Sequence, residues 1–242
     1  MNALFRRLGP RKRSTPSLQV ESVVRTHVGR VREINEDRVL ASPDTGLWAV
    51  ADGMGGHSGG EEAAGTLITH LARIPAPVAP RTIGDALETA NSAILAGGGG
   101  KSGTTAVVLH ARDGRAEVYW AGDSRAYLIR GDALHLLTHD HSVVQQMVDA
   151  GALTPEQALS HPQANVITNA LGVGASVTID RASRDLLTGD RLLLCSDGLT
   201  RSLCERDVSN TEQLDTLADR LLTNALQRDG SDNISFALLD FR

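Results

Sequence analysis

Acidic residues of this chain stand in short clusters where predicted strands begin or end. The clusters are Asn35-Glu36-Asp37, Asp52-Gly53, Asp123, Asp197-Gly198 and Asp232-Asn233. A single aspartate after a strand is usually a turn residue, because its side chain can hydrogen-bond the local backbone. Five clusters together indicate more, since strand ends converge in space and gathered carboxylates repel one another unless cations neutralise them.

Glycine follows two of these aspartates directly. Asp52 and Asp197 each end a short apolar run and precede a glycine, where the backbone can approach an ion closely. An all-oxygen ligand set suits Mg²⁺ or Mn²⁺, whereas zinc prefers histidine and cysteine. The pattern therefore predicts a two-metal hydrolase.

The elements that must position these carboxylates are predicted from hydrophobic periodicity. Strands are expected at 20–27, 47–51, 104–109, 116–121, 125–129, 133–136, 177–182, 191–195 and 233–239. Helices are expected at 61–73, 83–95, 142–150, 155–159 and about 212–226. The strands between 104 and 136 are predicted to form one antiparallel meander. This order favours an α+β fold, a four-layer α-β-β-α sandwich of two mostly antiparallel sheets flanked by helices.

Composition excludes several classes of protein. The 242 residues include 24 lysines and arginines against 29 aspartates and glutamates, a net charge of −5 that argues against a nucleic-acid groove. No apolar stretch approaches the roughly 18 residues needed to cross a bilayer. Cys195 ends an apolar run and lies too far from Cys204 for a C-x-x-C motif, which predicts a buried, reduced thiol in a cytoplasmic protein.

The first 18 residues are predicted to be a disordered basic tail. They carry five arginines and lysines around a Gly-Pro, and no apolar segment follows that would make a secretory signal. A weak electrostatic contact with acidic lipid or a partner is the alternative interpretation.

Six short motifs, taken in order, resemble those of a known family. They are Arg32-Glu33-Ile34-Asn35-Glu36-Asp37, Ala51-Asp52-Gly53-Met54-Gly55-Gly56-His57, Ser102-Gly103-Thr104-Thr105, Gly122-Asp123-Ser124-Arg125, Ser196-Asp197-Gly198-Leu199 and Ser231-Asp232-Asn233. Together they resemble the metal-dependent protein phosphatases of the protein phosphatase 2C type, in their compact bacterial form. The resemblance implies one catalytic domain over residues 19–242.

The resemblance also implies the metal ligands. Asp52 would bridge two metals at the catalytic centre, and the Gly53 carbonyl would join one of the two sites. Asp197 and Asp232 would complete the other site. Asp123 would match a third-metal ligand of bacterial members, shared with Asp197. The implied cofactors are two Mn²⁺ or Mg²⁺ ions per active site, with a position for a third.

Further roles follow from the same resemblance. Glu36 and Asp37 would hold metal-bound waters or ligate directly, and Arg32 would grip the substrate phosphate with its planar fork. Animal members carry a histidine, a candidate general acid, immediately after the Asp-Gly, and here Met54 takes that place. His57 is the candidate proton donor nearby, although a histidine in a glycine-rich loop is more often merely exposed.

The implied activity is hydrolysis of phosphoserine and phosphothreonine monoesters by a metal-activated water, without a phosphoenzyme. Bacterial members commonly oppose eukaryotic-like Ser/Thr kinases, including some that control type VI secretion, so phosphoproteins and such a kinase are the expected partners. The alternative is a pseudophosphatase that binds phosphoproteins or a kinase without catalysis. We expect a monomer, because no coiled-coil heptads or uninterrupted amphipathic surface helix stand out.

Three other segments allow competing interpretations. Residues from about 140 to 172 resemble the family's flap beside the active site, or form a helix-loop excursion that merely packs on the sheet. His139-Asp140-His141 is interpreted as a solvent-facing turn rather than a metal motif. Gly97-Gly98-Gly99-Gly100-Lys101-Ser102 resembles the end of a phosphate-binding loop, but the pattern would need glycine at Leu95, so we interpret it as a linker.

Overall fold

The computed structural model describes residues 18–56, 58–79, 81–131 and 133–242. The strands are β1 Val20–His27, β2 Arg38–Ser42, β3 Leu47–Ala51, β4 Gly53–Gly55, β5 Ser102–Thr104, β6 Ala106–Arg112, β7 Arg115–Ala121, β8 Arg125–Arg130, β9 Ala133–Leu136, β10 Asp180–Asp185, β11 Arg191–Cys195 and β12 Ile234–Phe241. The helices are α1 Gly59–Ala72, α2 Thr82–Gly98, α3 Val143–Asp149, α4 Pro155–Leu159, α5 Asp197–Thr200 and α6 Leu214–Arg228, with a 3₁₀ turn at Glu205–Asp207.

Two five-stranded sheets form the centre of the molecule. The first sheet has the order β1-β12-β11-β8-β9, and the second has the order β10-β7-β6-β3-β2. Strands β4 and β5 form a separate ribbon. All of these pairings are antiparallel. The predicted pair of antiparallel sheets is thus confirmed.

Strand β3 shows how the sequence builds adjacent layers. All five of its residues are buried, and they alternate between two cores. Leu47, Ala49 and Ala51 pack with α1 and α2, whereas Trp48 and Val50 pack against the facing sheet. A strand covered on both faces needs a continuous apolar run, which is the pattern found here.

A third core lies on the outer face of the first sheet. Helix α6 contributes Leu214, Leu217 and Leu221, which pack on Phe236 and Leu238 of β12. Helices α1 and α2, the second sheet, the first sheet and α6 therefore make four layers with three cores between them, and the predicted α-β-β-α sandwich is confirmed.

The predicted meander over 104–136 is wrong, because β7 and β8 belong to different sheets. The chain crosses between sheets at Gly122, whose backbone has φ of +107°. A Cβ at this glycine would come within 2.7 Å of Thr105 Cβ. The crossing places Asp123 between the ends of the two sheets, where the following strand begins a new layer.

Other differences concern the ends of elements. Strand β2 was not predicted, and the strand expected at 177–182 is Asp180–Asp185 instead. Gly97 and Gly98, which were interpreted as part of a linker, extend α2 by one turn, and Gly99 ends the helix in a left-handed conformation with φ of +58°. Helix α4 begins with a capping box formed by Thr154 and Gln157.

The remaining expectations can be placed on the described chain. The predicted tail lies outside the described residues except for Leu18, which packs against the core between the sheets. Both cysteines are free thiols, and Cys195 is buried as predicted. Among the helices of the described ranges, none is both long and apolar enough to cross a membrane.

The core between the sheets should dominate stability. Leu192 on β11 has no exposed surface, whereas Leu159 at the end of α4 is 76% exposed. We expect Leu192→Ala to lower the free energy of unfolding by about 2–5 kcal/mol, because it leaves a cavity between two packed sheets. Leu159→Ala is the matched control and should change it by less than about 0.5 kcal/mol. Urea denaturation checks both, and equal losses would contradict the assigned core.

Candidate active site

Acidic side chains meet at one end of the sandwich. Asp52 follows β3, Asp123 follows β7, Asp197 begins α5 directly after β11, and Asp232 precedes β12 by two residues. Asp37, which precedes β2, joins them, and all four other charges act on the Asp52 carboxyl. The structure thus brings together carboxylates that lie up to 195 residues apart in the sequence.

The backbone of Asp52 is held by two threonines. Its N–H donates to Thr105 Oγ1 at 3.1 Å, and its carbonyl accepts from the Thr105 N–H at 2.9 Å and from Thr104 Oγ1 at 3.1 Å. Thr105 Oγ1 also shares a hydrogen bond of 2.7 Å with Ser124 Oγ, next to Asp123. This hydrogen-bond network fixes Asp52 relative to the crossing between the sheets at Gly122.

Asp37 is buried and only partly hydrogen-bonded. Ser196 Oγ donates to Asp37 Oδ2 at 2.9 Å, while Asp37 Oδ1 has no partner. Burial raises the pKa of Asp37 to about 7, and the Ser235 and Ser196 hydroxyls act in the opposite direction. Glu36 Oε1 is also buried without a partner, and burial raises the pKa of Glu36. Both side chains therefore present acceptor oxygens that the protein leaves unsatisfied.

One asparagine ties the loop that carries Glu36 to the end of β12. Asn233 Oδ1 accepts from the Glu36 N–H at 2.8 Å, and Asn233 Nδ2 donates to the carbonyls of Val28 at 2.8 Å and Ile34 at 3.0 Å. All three polar functions of this amide are used. Sequence reasoning placed Asn233 in a motif but assigned it no role.

Glycine is required beside two of the aspartates because the backbone packs closely there. A Cβ at Gly53 would lie 2.2 Å from the carbonyl oxygen of Gly60 in α1. A Cβ at Gly198 would lie 2.0 Å from the carbonyl oxygen of Asn233. The two Asp-Gly pairs thus join the carboxylates to neighbouring elements.

Burial governs the ionisation of the cluster. It raises the pKa of Asp123 to about 7, with the charges of Asp197 and Asp140 acting in the same direction. Burial also raises the pKa of Asp52 well above its usual value and raises that of Asp197, where Arg201 opposes it. At neutral pH these groups need either protons or cations close by.

Two arginines supply positive charge at the edge of the cluster. Arg32 donates from Nε and Nη2 to the two carboxylate oxygens of Asp232, both at 2.9 Å. Arg201 forms an ion pair with Asp197 and lies 3.5 Å from Asp232 Oδ2. Sequence reasoning missed Arg201, although its position four residues after Asp197 would have indicated a pair on one helical face.

The residues present fit divalent cations. Within the described ranges, no group of three or more His, Cys, Asp or Glu side chains is already arranged to hold a metal ion. Nevertheless, the orphaned oxygens of Glu36 and Asp37 and the buried carboxylates beside them are the donors that Mg²⁺ and Mn²⁺ prefer. His57, the predicted proton donor, lies outside the described residues, and Met54 lies in β4.

The segment His139-Asp140-His141 was predicted to face solvent, and this is right only for its first residue. His139 is exposed and pairs with Asp149, whereas Asp140 is nearly buried against Arg125, with contacts of 2.6–3.0 Å. His141 Nδ1 accepts from Asn169 Nδ2 at 2.8 Å and from the Gly122 N–H at 3.2 Å. The segment is therefore structural and ties the 140–172 excursion to the crossing between the sheets.

The excursion itself is short helices and irregular chain. It contains α3 and α4, and two isolated bridges close it, Ser142 with Ile167 and Thr104 with Leu171. The bridge to Leu171 involves Thr104, whose hydroxyl donates a hydrogen bond to the Asp52 carbonyl. Its action as a flap stays a prediction.

An α-β-β-α sandwich that gathers aspartates at one end is an architecture shared with known proteins. The profile described as "Protein phosphatase 2C" matches residues 30–147. PhpP, a protein phosphatase of Streptococcus pneumoniae, is 36% identical over 232 residues, covering 88% of this chain and 94% of that protein. The chain belongs to the protein phosphatase 2C family.

Longer relatives match as well. The serine/threonine protein phosphatase PstP of Mycobacterium tuberculosis is 35% identical over 239 residues, which cover 93% of this chain but 45% of that protein. The chain thus spans about half the length of the PstP proteins that it matches.

Solved structures share the whole fold. PppA, described as a key regulatory component of the type VI secretion system in Pseudomonas aeruginosa, superposes with a TM-score of 0.85 at 35% identity, covering 93% of this chain and all of that one. The catalytic domain of PstP, solved with two manganese ions, gives a TM-score of 0.82 at 32% identity, covering 93% and 99%.

The raised pKa values predict how stability depends on pH. The folded-state pKa of Asp37 and of Asp123 is about 7 against an ordinary 3.8, so each group stabilises the fold below pH 3.8 and loses this contribution as pH rises through 7. In chelator, we expect the free energy of unfolding to fall between pH 5 and 7 by up to about 1.4 kcal/mol per pH unit for each carboxyl. Denaturant titrations at several pH values measure this.

Asp123→Asn removes one of the two titrating carboxyls and should reduce the slope of the free energy of unfolding against pH. The matched control is Asp44→Asn, on the exposed turn between β2 and β3, which should leave the slope unchanged. A stability that rises with pH over this range would contradict the assigned protonation.

Proposed function

We propose that the chain is a metal-dependent protein serine/threonine phosphatase that hydrolyses phosphoserine and phosphothreonine monoesters with water. The observation that carries this proposal is the group of buried carboxylates around Asp52, with unsatisfied oxygens on Glu36 and Asp37. Membership of the protein phosphatase 2C family supports it. A non-catalytic pseudophosphatase is disfavoured, because Asp52, Asp197 and Asp232, the aspartates that would hold the cations needed for catalysis, are all present.

The proposed ligands are those of the predicted site. Asp52 would bridge two Mn²⁺ or Mg²⁺ ions, Asp197 and Asp232 would complete one position, the Gly53 carbonyl would join the other, and Asp123 would hold a third ion. Glu36 and Asp37 would ligate or orient water with their free oxygens. When bound, paired cations lower the pKa of water and neutralise charge on the phosphoryl group. The protein's part is to hold the carboxylates in place through Thr105, Ser196 and Asn233.

Arg32 is the proposed phosphate-binding residue. Its side chain is 53% exposed and lies against Asp232 at the open side of the cluster. A planar guanidinium that already donates two parallel hydrogen bonds to a carboxylate can donate the same pair to phosphate oxygens. Substrate phosphate would thus be held beside the carboxylates. Met54 cannot donate a proton to the leaving group, and His57 is the proposed donor.

The proposed partners are phosphoproteins and a eukaryotic-like Ser/Thr kinase whose phosphorylation this chain reverses, acting in the cytoplasm as a monomer. Similarity to PppA supports a type VI secretion setting. Phosphoproteomics of a strain lacking the gene tests this proposal: a set of phosphosites that rises on deletion identifies the substrates, and an unchanged phosphoproteome contradicts it.

Activity should depend on the bridging aspartate and on added metal. We expect the wild-type chain to hydrolyse p-nitrophenyl phosphate with Mn²⁺ and to stop reversibly when the metal is chelated, because oxygen ligands exchange. Asp52→Asn should lower kcat by at least about 10³-fold, since charge stabilisation at the phosphoryl group is the largest contribution to catalysis.

The Asp44→Asn variant is again the control and should keep full activity, while the circular dichroism spectrum of Asp52→Asn should match that of the wild type. An active Asp52→Asn protein would contradict the bridging role. A wild-type protein that binds Mn²⁺ but never turns over would favour the pseudophosphatase.

Arg32 should affect substrate binding more than turnover. Arg32→Ala removes a charge-assisted hydrogen-bond pair worth about 1.5–3 kcal/mol, so KM for a phosphopeptide should rise roughly 10- to 100-fold. Arg32→Lys keeps the charge without the fork and should recover only part of the loss. Steady-state kinetics at saturating Mn²⁺ measure the effects on KM and kcat separately, with Arg25→Ala on β1 as control. An unchanged KM would show that Arg32 serves only Asp232.

A further inference from the structure

Arg201 reaches two acids that the proposed function assigns to one metal position. It follows α5 directly, and its Nη2 forms an ion pair with Asp197 Oδ2 and lies 3.5 Å from Asp232 Oδ2. The arginine side chain is 29% exposed, and the two aspartates are 19% exposed. The contact between Arg201 and the two aspartates is therefore largely shielded from solvent.

A second arginine of the chain gives the contrast. Arg25 on β1 also pairs with two aspartates, Asp215 at 3.0 Å and Asp219 at 2.8 Å. Those aspartates are 74% and 68% exposed, so water screens them and the pair contributes little. Asp197 is only 19% exposed and shares Arg201 with the neighbouring Asp232, so it would lose its ion-pair partner and keep a like charge nearby if Arg201 were absent.

Arg201 lies against carboxylate oxygens of two aspartates that the proposed function assigns to a cation. Arg201 pairs with Asp197 Oδ2 and lies 3.5 Å from Asp232 Oδ2, which also accepts from Arg32 Nη2 at 2.9 Å, while Oδ1 of Asp232 accepts from Arg32 Nε and from the Asn233 N–H, both at 2.9 Å. A guanidinium has donors only and cannot join a shared coordination sphere as a ligand. Like charges also repel, so a divalent ion and Arg201 cannot both occupy the space between these carboxylates.

We propose that Arg201 is a tethered counter-cation that competes with the divalent ion for Asp197 and Asp232. This inference rests on the proposed function, because it takes those aspartates as metal ligands. Arg201 neutralises the pair whenever the ion is absent and must be displaced when the ion binds. It thereby weakens metal binding at this position and keeps the metal-free fold stable.

The decisive experiment compares Mn²⁺ binding by wild type and Arg201→Gln with isothermal titration calorimetry on chelator-stripped protein. Arg201→Gln should bind Mn²⁺ at least about 10-fold more tightly, a change within the usual range of coupling between two ligands of one site. The Mn²⁺ affinity of Arg201→Lys should lie between those of wild type and Arg201→Gln, because a lysine keeps the charge but makes a single-point contact. Arg25→Gln makes the same change in net charge and should bind like wild type.

Thermal denaturation gives an independent readout. In chelator, Arg201→Gln should melt below wild type, because Asp197 loses its counter-charge and Asp232 keeps only that of Arg32. With saturating Mn²⁺ the melting temperatures should converge, since the ion takes over the neutralisation. A purely structural arginine would lower both melting temperatures equally, and that result would overturn the inference.

The Asp232→Asn variant distinguishes a failure of the metal-ligand assignment from a failure of the counter-cation inference. If this variant loses Mn²⁺ affinity while Arg201→Gln binds as weakly as wild type or more weakly, the ligand assignment stands and the counter-cation inference is wrong. If Asp232→Asn binds Mn²⁺ like wild type, or if the wild type binds none, the ligand assignment fails and the inference fails with it.

Discussion

The burial of several carboxylates beside one another is the constraint on which the active end of this protein depends. Burial and neighbouring charges together push the Asp52 carboxyl towards its protonated form, and the same holds for Asp37 and Asp123. A chain under no functional demand would not gather such groups, because each costs free energy to desolvate. Their neighbours therefore either stabilise the charge, as the Ser196 hydroxyl does, or hold the backbone rigid, as Thr105 does.

The sandwich makes this concentration of charge tolerable. Three apolar cores pack between the layers and supply the stability that the charges remove. The carboxylates stand at the strand ends, where the two sheets meet and helices α1 and α5 begin. The crossing at Gly122 matters most, because it takes the chain from one sheet to the other and leaves Asp123 at the seam. A fold with both sheets built from successive hairpins would have no such seam.

Much of this could be predicted from the sequence, and the reasons for success and failure are physical. Buried strands such as Arg191–Cys195 were predicted with their full extent, because a continuous apolar run bounded by polar residues leaves little choice of local structure. Sheet membership could not be predicted, because β7 and β8 have equivalent local patterns and only long-range pairing separates them. The carboxylates gathered as expected, but the network around Asn233 depends on partners some 200 residues distant.

Arg201 shows why a site for exchangeable ions needs more than its ligands. Between one ion and the next, the carboxylates can be neutralised by protons or by a side chain. Protons serve Asp37 and Asp123, where the pKa is about 7, but they must be expelled before an ion can bind, which makes binding pH-dependent. An arginine keeps its charge at every physiological pH, and a tether of four residues returns it to Asp197 as soon as the ion leaves. Asp197 and Asp232 are paired with arginines, whereas Asp37, the fully buried aspartate of the cluster, is held by the Ser196 hydroxyl instead, because a guanidinium could not be desolvated there without a large penalty.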